Sequence, residues 1–313
     1  MTEYRSTERH PFTSLILLLL FIIAGVFLFS LIALAFSTTL YGFKPVLDMA
    51  SGKAVGEINF LKIFQISTSI GMFIIPALIL ARIECKNWLG YLKLNTGFPF
   101  LLVGITVLLM FASAPLLESS VELNKAMKLP GFLNGLEIWM KNKEDEMAKL
   151  TMQLLDMKTI PVLVLNLFML AIIPAVGEEL TFRACLQKLF GKMIGNHHLA
   201  IWLTAIIFSA IHVQFYGFIP RMLLGALFGY LFFWSKSIWL PILAHFVNNG
   251  TAVITAYVYQ RKGIPLDNLE TGTSSPPYVY LLSFVGTAVL LWFFYKVAIN
   301  ARIDKNIDGK GLE

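Results

Sequence analysis

The chain has 313 residues, 57% of them hydrophobic and only 14% charged, with a formal net charge of +6 and two cysteines. A soluble domain carries about a quarter charged residues, so a water-soluble globule is excluded, and apolar runs long enough to cross a bilayer predict an all-α polytopic membrane protein. Cys85 and Cys185 are too few and too far apart for a disulfide scaffold and lack the C-x-x-C spacing of a zinc or redox site, while the scattered Lys and Arg form no stripe for nucleic acid.

A helix crossing a hydrocarbon core of about 30 Å needs about 20 apolar residues. Eight such runs follow in order: Phe12 to Phe36, Phe64 to Ala81, Phe98 to Leu117, Ile160 to about Leu189, Leu199 to Phe218, Met222 to about Leu240, Ser237 to Gln260, and Tyr278 to Tyr295. They lack the apolar/polar alternation of barrel strands, so about eight transmembrane helices are predicted. A polar leader, 1–11, precedes the first span, which is longer than the apolar stretch of a cleavable signal (about 7 to 15 residues) and predicts a retained anchor.

Three N-terminal spans fill 12–118. In 119–159, Leu136, Met140, Met147, Leu150 and Leu154 recur at helical spacing opposite Lys141, Lys143, Glu144, Asp145 and Glu146. That pattern predicts an amphipathic helix lying on the membrane or capping the bundle. Four spans, the fourth to seventh, form a core over 160–260; a final loop and span cover 261–298 and a polar tail 299–313. Gly225 and Gly229 give the sixth span a small-xxx-small face for close packing.

Twelve Lys and Arg flank the spans on the side of the two termini, against five in the opposite short loops, when Lys62, Arg183 and the long third connection are left out of the count. This asymmetry predicts a multi-pass protein of the cytoplasmic membrane with both termini cytoplasmic.

An ionisable side chain in the middle of a span costs about 2.5 to 3.5 kcal/mol even on the most lenient scale, so each needs a reason. The fourth span carries Glu178, Glu179 and Arg183, the fifth His212, and the seventh His245 with Asn249. Glu179 and Arg183 stand at i and i+4 with the acid first, the favoured order for an ion pair, which leaves Glu178, turned about 100° away, free. His245 and Asn249 share a face one turn apart. A free carboxylate, two imidazoles and an amide equip a hydrolase: Glu178 takes a proton from water, His212 holds the water, and His245 with Asn249 binds the developing oxyanion. The same donors, Glu178, His212 and His245, are also those of a catalytic divalent metal site such as zinc, and the residues alone leave both chemistries open. Pro174 and Pro241, each one turn before a motif residue, predict kinks that open a polar cavity at this depth.

Glu178, Glu179 and Arg183 as EExxxR, Phe208 and His212 as FxxxH, and His245 and Asn249 as HxxxN, in this order on successive apolar segments, resemble the CPBP intramembrane proteases, the family of CAAX prenyl endopeptidases and bacteriocin-processing enzymes. The resemblance covers about Ile160 to Gln260. It implies an eight-helix intramembrane endopeptidase in which Glu178 and His212 activate water and His245 and Asn249 stabilise the oxyanion. It further implies a peptide or protein substrate met at the lipid bilayer; the family is often labelled metalloprotease, and a metal-free glutamate mechanism is the reading favoured here. No HExxH, GxGD or intramembrane GxSxG-like motif points to another protease design. The alternative reading is a non-enzymatic membrane protein, an immunity-type factor or a proton-coupled transporter, using the same buried polar residues. Substrate identity and oligomeric state have no signal in the sequence.

Overall fold

A computed structural model of the protein describes residues 9–51, 56–266 and 275–308. Most of the polar leader and the end of the polar tail, with Arg5, Lys53 and Lys310 of the flank count, lie outside the described residues. Among the described residues there are helices and no strand: α1 (Pro11–Tyr41), α2 (Lys44–Ala50), α3 (Ile58–Glu84), α4 (Trp88–Tyr91), α5 (Leu101–Ala126), α6 (Asn134–Leu154), α7 (Ile160–Ile194), α8 (His197–Ala210), α9 (Phe218–Ser235), α10 (Trp239–Arg261) and α11 (Pro277–Asp308). The chain is an all-α polytopic membrane protein.

Six helices, α1, α3, α5, α7, α9 and α11, are long and apolar enough to cross a membrane. Two of the eight expected spans differ. The fifth, expected to reach Phe218, stops at Ala210 after 14 residues, a rise of about 21 Å that falls short of a bilayer core. Its end is fixed locally: the Ser209 hydroxyl donates to the Phe218 carbonyl at 2.7 Å, and Val213 adopts a left-handed φ of 53° that no helix accommodates. The seventh, α10, is continuous over 23 residues, but His245, Asn248 and Asn249 make it less apolar than the other six. The uncertain boundary between the sixth and seventh resolves at Ser235, where Lys236 turns left-handed with φ 57°. The third span runs past its expected end at 118 to Ala126.

Lipid tails are as apolar as leucine, so the bundle gains from close packing and internal hydrogen bonds rather than from hiding oil from water. Exposed Ile23 and Phe27 on α1 fit that solvent. On the inside, Gly225 has no room for a side chain, since a Cβ there would sit 3.2 Å from Ala205. The bare α9 backbone therefore meets α8 and α7 directly: the Gly225 carbonyl accepts from Arg183 Nη2 at 3.1 Å and the Gly229 carbonyl from Gln187 Nε2 at 3.2 Å. The small-xxx-small face thus serves α7 with two backbone acceptors as well as packing on α8.

α3 and α7 share a further device. Each contains the string Ile-Ile-Pro-Ala, and in each a wide π turn, Ile70–Ile74 and Phe168–Ile172, runs up to that proline. Proline lacks the N–H that would bond four residues back and crowds that carbonyl, so the helix widens instead of closing its ladder. A second π stretch in α7, Leu180–Gln187, follows the two glutamates. Pro241 behaves differently from expectation: it lies in the first turn of α10, where a missing N–H costs nothing, and opens no kink.

Candidate active site

Glu178, Glu179 and Arg183 occupy the middle of α7 and all are buried. Arg183 Nε lies 3.0 Å from Glu179 Oε2, and neither side chain has exposed surface. The guanidinium is walled by aromatic faces, with Phe208 4.6 Å and Phe228 5.5 Å from its centre, and its fork reaches the Gly225 carbonyl. Those rings desolvate the cation while offering their negative π faces, which suits a planar guanidinium better than an ammonium. The predicted i to i+4 pair is therefore present, and it survives the widened turn that contains Arg183.

His245, on α10, joins this pair. Its Nδ1 is 2.9 Å from Glu179 Oε1 and its Nε2 is 3.9 Å from Glu178 Oε2. A carboxylate accepts, so Nδ1 carries a proton and Nε2 is left to face Glu178. The ring stacks on Phe228, centroids 5.3 Å apart, and meets the edge of Phe208. Glu178 Oε2 is buried without a hydrogen-bond partner among the described residues. The gap of 3.9 Å is too long for a direct bond, and a water to one side of it can reach both groups.

His212 lies just beyond the end of α8. Its Nδ1 is 2.8 Å from the Phe208 carbonyl. A carbonyl can only accept, which fixes the tautomer with the lone pair on Nε2. The strained Val213 follows immediately, and such outliers cluster where a neighbouring side chain must be aimed. Phe208 touches both imidazoles edge-on, so FxxxH supplies a spacer between His212 and His245 in addition to the histidine.

Asn249 has a different set of contacts. Its Nδ2 donates to the Leu170 carbonyl at 3.1 Å and its Oδ1 accepts from Asn248 Nδ2 at 3.0 Å. Leu170 is the residue four before Pro174, so Asn249 satisfies the carbonyl that the proline leaves bare. The expected pairing of His245 and Asn249 on one group is not among the contacts described.

Two residues given no part in the site by the sequence stand near it, Arg221, counted as a flank charge, and Glu144, placed on the polar face of the amphipathic segment. Arg221, in the first turn of α9, acts electrostatically on both Glu178 and His212, and hydrogen-bonds Gln214 in the loop after His212. Glu144, on the amphipathic α6, accepts from the Tyr216 backbone N–H at 2.9 Å. A cleft of about 850 Å3 opens between α5, α6 and this loop, with Glu118, Lys125, Glu144, Gln214 and Tyr216 in its walls. The signal that could have found Arg221 was its place as one of two charges in the otherwise uncharged stretch from Leu199 to Gln260.

As they stand, Glu178, His212 and His245 are not gathered into a ligand set: no group of three His, Cys, Asp or Glu among the described residues is placed to hold a metal ion. The contact of His245 Nδ1 with Glu179 leaves its Nε2 open to a ligand.

Residues 160–251 match the family model described as "Rce1-like: Type II CAAX prenyl endopeptidase Rce1-like". A curated relative, the uncharacterized protein YpbD of Bacillus subtilis (strain 168), is 27% identical over 86 residues, which is 26% of this chain and 41% of that protein. The matched region therefore spans about two fifths of that relative. No solved structure matches significantly. The matched segment of 160–251 begins with α7 and ends inside α10, so it contains all seven motif positions.

Proposed function

We propose that this chain is an intramembrane endopeptidase that hydrolyses a peptide bond, in a peptide or protein substrate at the membrane, with water activated by Glu178 and His212. The observation that carries the reading is the buried Glu178 Oε2, which has no hydrogen-bond partner among the described residues and lies 3.9 Å from His245 Nε2. A buried acceptor without a partner costs about 1–3 kcal/mol, and a water that donates to it, and then attacks the substrate, satisfies it.

In this reading the water lies on Glu178, with His212 Nε2 as its second acceptor. Glu178 takes a proton as the oxygen attacks the scissile carbonyl, then returns it to the departing amine. His245 is oriented by Glu179, itself held by Arg183, in the way a third group orients the imidazole of a catalytic triad. For His245 Nε2 to donate to the oxyanion the ring must carry both protons, and the carboxylates at 2.9 and 3.9 Å offset that charge. Asn249 contributes by bracing α7 at the proline break that sets the position of the glutamates. Both termini on the cytoplasmic side complete the reading, supported by the excess of basic residues at that end.

Glu178→Gln keeps the side-chain shape and removes the base. With the purified protein in detergent and a mixed fluorogenic peptide library, we expect the variant to lose cleavage by about 100-fold or more, the scale of general-base catalysis. Activity should persist with a chelator present. A Glu178→Gln protein that cleaves at the wild-type rate removes the assignment.

A further inference from the structure

A second cavity, of about 340 Å3, lies between the last turns of α7, the first turn of α8, the end of α9 and the turn at Lys93. Lys93, Lys188, Lys192 and Lys236 line it together with Phe232 and Phe233, and no Asp or Glu is among its described lining residues. Four cationic side chains gathered round one concavity concentrate positive charge there; Lys188 Nζ also donates to the Tyr91 carbonyl at 3.4 Å, and Lys236 Nζ lies 4.1 Å from the centre of the Phe233 ring. Lys236 shows the cost: burial, reinforced by Arg302 and Lys93, lowers its ammonium to about 8.

The backbone gives an independent sign. Among the described residues three non-glycine positions have positive φ: Val213 beside His212, and Lys93 and Lys236, both in this cavity. Neither lysine is β-branched, but neither is a residue that favours the left-handed region, and such conformations persist where surrounding structure demands them. Here the two strained turns are tied to one another and to the next helix, since the Ile238 N–H donates to the Lys93 carbonyl at 3.3 Å and Trp239 Nε1 to the Leu94 carbonyl at 2.8 Å. Trp239, half exposed at the start of α10, is the kind of residue that marks the membrane–water interface. The cavity thus opens at headgroup depth, has apolar walls and is lined by positive charge.

We propose that this cavity is a binding site for the phosphate headgroup of an anionic phospholipid, with the lysines around the phosphate and the acyl chains leaving along Phe232 and Phe233. The site adds a role to α7 that is separate from its chemistry. Gln187, Lys188 and Lys192 continue the same helix beyond Arg183 and line the cavity. A lipid seated there clamps α7 to α9 at the end where both helices finish.

The test uses the full-length protein in a neutral detergent, with unfolding followed by intrinsic fluorescence while phosphatidylglycerol, phosphatidylcholine of the same acyl chains, or inorganic phosphate is titrated in. We expect phosphatidylglycerol alone to raise the melting temperature. In Lys93→Asn/Lys236→Asn, chosen because asparagine tolerates the left-handed backbone, its apparent affinity should fall about 30-fold, the worth of two basic side chains at an anionic surface. Equal stabilisation by phosphatidylcholine overturns the proposal, as does an unchanged affinity in the double variant. Stabilisation by inorganic phosphate to the same extent overturns the lipid assignment in favour of a free anion. Native mass spectrometry of the wild type from micelles mixing the two lipids needs no variant: preferential retention of phosphatidylglycerol supports the site, and equal retention removes it.

Discussion

Two ion pairs, one in α7 and one in α6, show how little distance says about worth. Lys143 and Glu146 approach to 2.6 Å, with their side chains 43% and 56% exposed. Arg183 and Glu179 are farther apart, at 3.0 Å, and neither has any exposed surface. In water the closer pair exchanges one set of hydrogen bonds for another and is screened, so it contributes little. In the bundle the longer pair is the condition on which two charges can be there at all, because removing either partner strands the other in a medium that cannot solvate it. The same pairing of opposite charges at nearly the same helical spacing is decoration on one helix and a structural requirement on the other.

The comparison breaks most visibly at Arg183. Arg183→Ala leaves Glu179 charged against His245 and a hole between Phe208 and Phe228, and we expect a loss of about 3–5 kcal/mol, read as a lower melting temperature in detergent. Pairing Arg183→Met with Glu179→Gln removes both charges while keeping volume and the acceptor for His245 Nδ1, and should recover most of that stability without restoring activity. Unchanged melting of Arg183→Ala would mean that the guanidinium is reached by water.

Asn249→Ala tests a buried contact that involves no charge. It exposes the Leu170 carbonyl, left bare by Pro174, to a site without another donor, and a buried carbonyl that loses its partner costs about 1–3 kcal/mol. We expect a smaller drop in melting temperature than for Arg183→Ala, accompanied by reduced turnover because the glutamates lie one turn further on. Full stability with lost turnover would instead put Asn249 at the reacting atoms, where sequence reasoning had it.

The difference between these regions was partly legible in the sequence. Helix class, the amphipathic α6 and the Glu179–Arg183 pair followed from hydropathy and spacing alone, because a charge in a long apolar run has few ways to exist. The π turns were not legible: a proline announces a broken ladder, yet whether the helix kinks or widens depends on what the neighbours offer, here Asn249 for the Leu170 carbonyl. Pro241 misled for the complementary reason, since its effect depends on where the helix starts, and hydropathy does not mark the turn at Lys236. The truncated α8 was hidden because the residues after Ala210 remain apolar while Val213 and the Ser209 hydroxyl end the helix. The contact of His245 with Glu179 was not legible, because the two stand on different helices 66 residues apart in sequence. Arg221 was read as a flank charge and Glu144 as part of a polar helix face, because proximity between elements is a property of the fold.

The smallest effects belong to α6. Burial holds the Glu144 carboxyl above its ordinary value of 4.5, against the opposing pull of the Tyr216 N–H and Arg221. The folded state therefore holds that proton more tightly than the unfolded chain, so this group's contribution to stability falls as pH rises from 4.5 through the raised value and is flat beyond it. Glu144→Gln keeps an acceptor for Tyr216 and should flatten that part of the melting profile; an unaltered slope would assign it to another group. Lys143→Ala, four-tenths exposed and on the same helix, should change stability by no more than about 0.5 kcal/mol at any pH. A loss approaching that of Arg183→Ala would mean that α6 is buried against the membrane or a partner in the working protein, and the contrast between the two ion pairs would then be one of surroundings that the isolated chain does not display.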